Sequence, residues 1–290
     1  MSSNPVKIKK RWVLMILFLL ASCTPAPKMA VSDSITPTFS PNPTETPPPV
    51  PSATRPLATP TIHLTPTNIP YQVCCPLEEE TLASLRLILA NPLKIPPIGH
   101  DDGHHGLDFA YYQRDERESI QGIEVYAILP GKVVLTLEDQ IPYGYAVMIE
   151  TPLTDLPEAL QMELLAGLLE VPQDVVYQGQ CPTAVPPLQM DVMSIYHIYA
   201  HLEVRPPHQP GERVSCGALL GTVGNTGYSS SPHLHLETRL GPSGADFSTM
   251  AFYDPAYSEE QRITYCLWRM SGYYQLFDPF ILFEFNEQDA

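Results

Sequence analysis

The sequence predicts a mainly β fold built on an antiparallel sheet, with added helices and a helical insertion. Three observations point there. Six short runs, Ile123 to Leu129, Gly131 to Leu137, Tyr145 to Thr151, Ser194 to Leu202, Ala218 to Val223 and His233 to Leu240, are set apart by Gly or Pro, the punctuation expected of antiparallel strands. The one long break among them, 152–193, carries a helical period instead. The 33 prolines in 290 residues are too many for a uniformly packed chain and must be concentrated outside the core.

The N-terminus accounts for much of that excess. Lys7, Lys9, Lys10 and Arg11 precede an unbroken apolar run from Trp12 to Leu20, then Ala21, Ser22 and Cys23. A spanning helix needs about 20 apolar residues, so this shorter run reads as the core of an export signal over 1–22. Leu20-Ala21-Ser22-Cys23 resembles the lipobox of bacterial lipoproteins, which implies cleavage before Cys23 and a lipid on its sulfur. Residues 23–72 form a linker; 13 prolines and ten threonines between Thr24 and Pro70 predict an extended, partly polyproline II tether. The expected localisation is an exported, membrane-anchored lipoprotein of the bacterial cell envelope. The formal charge is −16, and losing the four basic residues of the signal takes it to −20. Such a chain excludes a phosphate-binding nucleic-acid partner and leaves membrane attachment to the lipid rather than to charge.

The folded domain is expected over 73–290. Pro76, Glu78, Glu79 and Glu80 read as a first helical turn, with Leu82, Leu85 and Leu89 on one face before Asn91-Pro92. In the 152–193 insertion, Asp155-Leu156-Pro157-Glu158 reads as a side-chain-capped start, followed by an apolar face of Leu160, Leu164, Leu165 and Leu168. A last helix is expected from Ser258 to Met270, with Ile263, Cys266, Leu267 and Met270 inward.

The histidines carry the chemistry. His233 and His235 lie two apart in a strand run and project to one side. On the preceding run, the same period places His197, Tyr199 and His201 on one face and Ile198, Ala200 and Leu202 on the other. His104 and Asp108, four apart, share a side, and Gly103 and Gly106 disfavour a helix there. Two imidazoles and one carboxylate make a ligand set for a catalytic zinc with a position left for water.

Together, His104-x-Gly106-x-Asp108, Tyr199-Ala200-His201-Leu202, Gly224-Asn225-Thr226-Gly227 and His233-Leu234-His235-Leu236-Glu237 resemble the lysostaphin-type (M23, LytM-domain) zinc metallopeptidases, across roughly 95–150 and 194–241. The resemblance implies the M23/LytM-type duplicated hybrid motif fold. It also implies one Zn2+ per chain held by His104, Asp108 and His235, with His201 and His233 as the catalytic pair. The substrate it implies is a peptide bond in peptidoglycan stem peptides or cross-bridges. There is no His-Glu-x-x-His stretch to supply a helix glutamate as base, so His201 and His233 are expected to move the proton. The alternative is a non-catalytic LytM-type regulator or binding module that activates other wall hydrolases; ligand integrity separates the two, and all five positions are filled.

Some active relatives carry an oxyanion-holding tyrosine just before the first ligand, where this chain has Ile98-Gly99-His100. His100 is either its substitute or a solvated loop residue. His105 is expected to point away. His197 is either a residue behind the site or an exposed strand residue, and the insertion either walls the groove or packs apart from it. Of the cysteines beyond Cys23, Cys74 and Cys75 are candidates to pair with Cys181 or Cys266, and Cys216 is the candidate free thiol. Neither pairing nor oligomeric state follows from the sequence.

Overall fold

The strand runs alternate apolar residues between two sides, and a computed structural model pairs four of them into a main sheet with a core on each face and the other two into a small ribbon. It describes residues 71–179, 181, 191–247, 250–251 and 258–285. The predicted signal at 1–22, Cys23 and the tether as far as residue 70 lie outside the described residues. No helix among the described residues is long and apolar enough to cross a membrane.

In chain order the elements are β1 (Leu89–Asn91), β2 (Leu107–Phe109), β3 (Glu124–Tyr126), β4 (Gly131–Gln140), β5 (Gly144–Pro152), α1 (Glu158–Ala166), β6 (Met193–Leu202), β7 (Arg213–Val214), β8 (Leu219–Thr222), β9 (Leu234–Pro242), α2 (Glu259–Arg269), β10 (Gln275–Leu276) and α3 (Phe280–Glu284). The main sheet runs β1-β2-β9-β6-β5-β4-β7, with β10 also on β9, and β3 and β8 form a separate ribbon. Its central pairings are antiparallel, which bears out the predicted fold class. One face packs Val147, Ile149, Ile195, Tyr199, Leu234 and Leu236 against α1 and the ribbon. The other packs Ala146, Met148, Tyr196, Ile198 and Ala200 against Tyr265 and Trp268 of α2.

A bulge near the end of β6 overturns the expected facing of His201. Val147 pairs with Tyr199 but Tyr145 pairs with Leu202, so Ala200 and His201 together oppose Ala146. His201 takes the left-handed conformation, φ 61°, as the extra residue of a bulge can. Strand parity reverses there. Leu202 rejoins the Tyr199 face, while His201 turns to the opposite one. His197 stays with Tyr199, fully buried, its ring nitrogens 3.0 Å from Thr151 Oγ1 and 2.8 Å from the Tyr199 hydroxyl. It is therefore neither exposed nor behind the site.

Other expectations need correction too. No α-helix forms at 76–91: Leu77 bridges to Val125, Glu79 has φ 63°, and only a 3-10 turn at Leu85–Ile88 precedes β1. The α1 start has Pro157 at the N-cap with no side-chain cap, and Leu165 is exposed while Leu160 and Leu164 are buried. The helix expected from Ser258 to Met270 forms as α2, with Ser258 at its N-cap in a capping box with Gln261. Cys266 and Met270 are buried as expected, but Tyr265 and Trp268 are buried with them, Leu267 is half-buried and Ile263 is exposed. The cause is the second core, which takes the aromatic side of α2.

The cysteine pairing also departs from expectation. Cys74 bonds Cys216, closing 142 residues, and Cys181 bonds Cys266, tying the insertion to α2. Cys75, not Cys216, is free. Alkylation of the denatured, unreduced protein followed by peptide mass analysis should label Cys75 and leave Cys216 unlabelled; label on Cys216 would contradict this pairing.

Candidate metal centre

Three adjacent strands assemble the site on the α2 face of the sheet. In the β2–β9 pairing Asp108 stands opposite His235, and in the β6–β9 pairing Ala200 stands opposite the same residue. The bulge at Ala200 and His201 then brings the His201 ring beside those of His233 and His235, at centroid separations of 4.7 and 5.7 Å. His104 precedes β2 and is held by two backbone hydrogen bonds with Lys94, 2.8 and 3.0 Å. The glycine between them has a steric reason: a Cβ on Gly106 would lie 2.8 Å from Cε1 of His235 and 2.6 Å from the Leu236 carbonyl oxygen.

The five predicted residues His104, Asp108, His201, His233 and His235 thus come together. Asp108 Oδ1 lies 3.0 Å from His104 Nε2, 2.8 Å from His235 Nδ1 and 3.4 Å from His233 Nε2. Its other oxygen accepts from Asn91 Nδ2 at 3.0 Å. Among the described residues, His104, Asp108 and His235 form one candidate ligand set and His201, His233 and His235 a second, overlapping one, with all atoms of a set within 4.8 Å of one another.

The ring orientations decide what such a cluster can hold. Nδ1 of His104 donates to the Pro92 carbonyl at 2.9 Å, Nδ1 of His201 to Thr226 at 2.8 Å and Nδ1 of His233 to Ser231 at 2.8 Å. A carbonyl oxygen only accepts, so each neutral ring keeps its hydrogen on Nδ1 and turns a lone pair on Nε2 away from that carbonyl. For His104 and His233 that lone pair faces the Asp108 carboxylate. Electron-pair donors packed this closely repel unless a proton or a cation sits among them, and imidazole with carboxylate oxygen is a donor set that zinc takes. The residues fit the metal that the sequence resemblance implies.

Electrostatics agree. Burial opposes ionisation of Asp108, but the hydrogen bond from His235 and the charges of the neighbouring His235 and His233 rings hold its carboxyl well below the usual range. Burial opposes protonation of His235, yet hydrogen bonds to Asp108 and Glu237 and their charges raise it to about 9. Burial and the neighbouring His235 and His233 push His201 down to about 3, and burial also lowers His233. A position that holds a proton this firmly on His235 is one that favours positive charge.

The cleft above is lined by His104, Asp108, His201, His233 and His235, with Tyr143 from the β4–β5 turn, Tyr228 and Ser229 from the β8–β9 loop, and Arg269 from α2. No described residue of the 152–193 insertion lines it. Gln178 of the insertion instead bonds the backbone of Gly99 and Asp101. His100 sits outside, half exposed and 3.4 Å from Asp102. His105 does not face solvent: it is buried below the cleft, where its Nδ1 accepts from Arg239 at 2.7 Å.

One comparison with known proteins covers part of this cluster. Residues 189–246 match the peptidase family M23. The M23 match contains His201, His233 and His235, and it begins after His104 and Asp108. No curated protein matches the chain. Among solved structures the chain is similar to a peptidase M23 from Pseudomonas aeruginosa, at 18% identity over 74% of this chain and 54% of that one, TM-score 0.30. It is similar to the catalytic domain of the antimicrobial peptidase lysostaphin from Staphylococcus simulans, at 21% identity over 58% of this chain and 91% of that one, TM-score 0.32. A zinc-containing peptidase from Vibrio cholerae is 20% identical over 58% of this chain and 32% of that one, TM-score 0.28. The chain therefore spans about half of the first and a third of the last.

Sequence reasoning missed Tyr143, Glu237, Arg239 and Arg269, which lie around and beneath His235. A signal existed for two of them, because His235, Glu237 and Arg239 continue the two-residue alternation along β9. Arg269 carried none, since only the docking of α2 brings it near.

The raised His235 makes the metal-free protein sensitive to pH. Its protonated form contributes stability that is fully present below the unfolded value of 6.5 and is lost as pH rises through about 9. In chelator, the melting temperature should fall between these limits, and Asp108→Asn should flatten the decline. A wild-type melting temperature constant over that interval would contradict the pairing.

Proposed function

We propose that this chain is a zinc-dependent endopeptidase that hydrolyses peptide bonds in peptidoglycan stem peptides or cross-bridges, and that a lipid on Cys23 holds it at the bacterial envelope. The observation that carries the reading is the convergence of His104 Nε2, His235 Nδ1 and His233 Nε2 on one oxygen of Asp108, at 3.0, 2.8 and 3.4 Å. The M23 match over 189–246 and the motif resemblance support a peptidase acting on the wall. An export signal and tether, as the sequence reads, would hold the domain within reach of that substrate, which supports the reading.

His104, Asp108 and His235 would hold the zinc. When bound, zinc polarises the scissile carbonyl and lowers the pKa of a water in contact with it toward about 7. The remaining work falls to the protein. His201 and His233 are neutral at pH 7, because burial disfavours their charged forms. Their Nδ1 atoms are fixed on backbone carbonyls, so each presents Nε2 as the atom that accepts a proton. One takes the proton of the attacking water and the pair returns a proton to the departing amine, as general base and then general acid. The Thr226 carbonyl that orients His201 belongs to a loop pressed onto the β4–β5 turn; a Cβ on Gly227, whose φ is 71°, would lie 2.3 Å from the Gly144 nitrogen.

Digestion of purified peptidoglycan, with products identified by mass, tests the reading. His201→Ala should keep its zinc and lose turnover by about 100-fold or more, whereas Asp108→Ala should lose zinc as well. A wild-type chain that binds the wall without zinc and releases no peptide fragments would replace this reading with the binding or regulatory one. Unchanged turnover in His201→Ala would remove His201 from the chemistry.

A further inference from the structure

Backbone carbonyls fix three of the four converging imidazoles. His235 is different. It turns Nδ1, not Nε2, toward Asp108, and its Nε2 lies 3.6 Å from Oε2 of Glu237. Glu237 is fully buried and is held from several sides. Its Oε2 accepts from the Tyr143 hydroxyl at 2.9 Å and lies 3.8 Å from Arg269 Nη1. Its Oε1 accepts from Arg239 Nε at 2.6 Å, and Arg239 is itself fixed through the Trp268 and Tyr274 carbonyls, 2.7 and 2.8 Å.

Arg269 comes from the last turn of α2, beyond the M23 match. It donates to Asp101 at 2.7 Å and to the Tyr143 hydroxyl at 3.2 Å, and Trp268 Nε1 donates to that same hydroxyl at 3.0 Å. A lone buried carboxylate would be strongly unfavourable, and this arrangement supplies it with two guanidinium groups and a hydroxyl. The remaining accepting capacity on Oε2 faces Nε2 of His235, 3.6 Å away, the nitrogen that ring turns away from Asp108. The Cys181–Cys266 disulfide ties down the helix that carries Arg269.

We propose that Glu237 and Arg269 are positioning residues for His235. Glu237 accepts the hydrogen on Nε2, so that Nδ1 turns its lone pair toward Asp108 and His104. Arg269, with Tyr143, fixes the carboxylate in the place where it can do so. The inference rests on the reading that this cluster holds zinc, and it makes α2 a working part of the metal centre. A carboxylate on the second nitrogen of a ligating imidazole sets its tautomer and strengthens it as a donor.

The test uses the full mature chain and three readouts: zinc affinity by competition with a chromophoric chelator, the visible spectrum of the cobalt-substituted protein, and nitrogen NMR of the zinc-loaded wild type. Glu237→Gln should weaken zinc binding by about 10- to 100-fold and alter the cobalt bands. Arg269→Met should weaken it by about 10-fold, with partial recovery in Arg269→Lys. In the wild type, the proton of His235 should be found on Nε2. Folded Glu237→Gln or Arg269→Met with wild-type affinity and an unchanged cobalt spectrum would overturn the inference, as would a proton on Nδ1, which requires no variant. A wild-type chain that binds no zinc would instead overturn the zinc reading, and this inference with it.

Discussion

Asp108 places one carboxylate oxygen against nitrogens of three imidazoles. That contact cannot stand as bare electron pairs, and the rest of the site follows from the need to balance it. With the His104 and His233 hydrogens drawn onto backbone carbonyls, the positive charge must come from a proton on His235 or from a cation among the rings. In the first case the cluster is a buried ion pair, and in the second it is a metal centre with a carboxylate already in place. The two states compete for the same atoms, so acid should displace metal.

The sheet makes this contact possible by placing β9 between β2 and β6. Asp108 and Ala200 then flank His235 from both sides through ordinary antiparallel pairing. His201 reaches the same face only because one extra residue in β6 reverses the strand parity. Without that bulge its ring would share the Tyr199 core. The two faces thus do different work: one buries aliphatic residues against α1 and the small ribbon, and the other supports the polar site with the aromatic residues of α2.

The strand runs were legible because Gly and Pro separate them and their apolar residues alternate. The candidate ligands were legible because His104-x-x-x-Asp108 and His233-x-His235 are short-range spacings that survive in almost any local conformation. What sequence reasoning missed depends on long-range register. The bulge at Ala200 and His201 exists only relative to β5, so strict alternation put His201 on the wrong face and left His197 beside it. The buried side of α2 depends on a core built from distant strands, so helical periodicity alone does not reveal that Trp268 is buried and Ile263 exposed. The Cys74–Cys216 bond joins segments 142 residues apart, and no local feature distinguishes Cys74 from Cys75.

Anomalous diffraction from crystals of the mature chain, recorded on both sides of the zinc absorption edge, tests the central claim most directly. The expected result is one zinc peak per chain bounded by His104 Nε2, Asp108 Oδ1 and His235 Nδ1, with His201 and His233 facing it through Nε2. A zinc-supplemented crystal with these side chains ordered, and no peak among them, would contradict it.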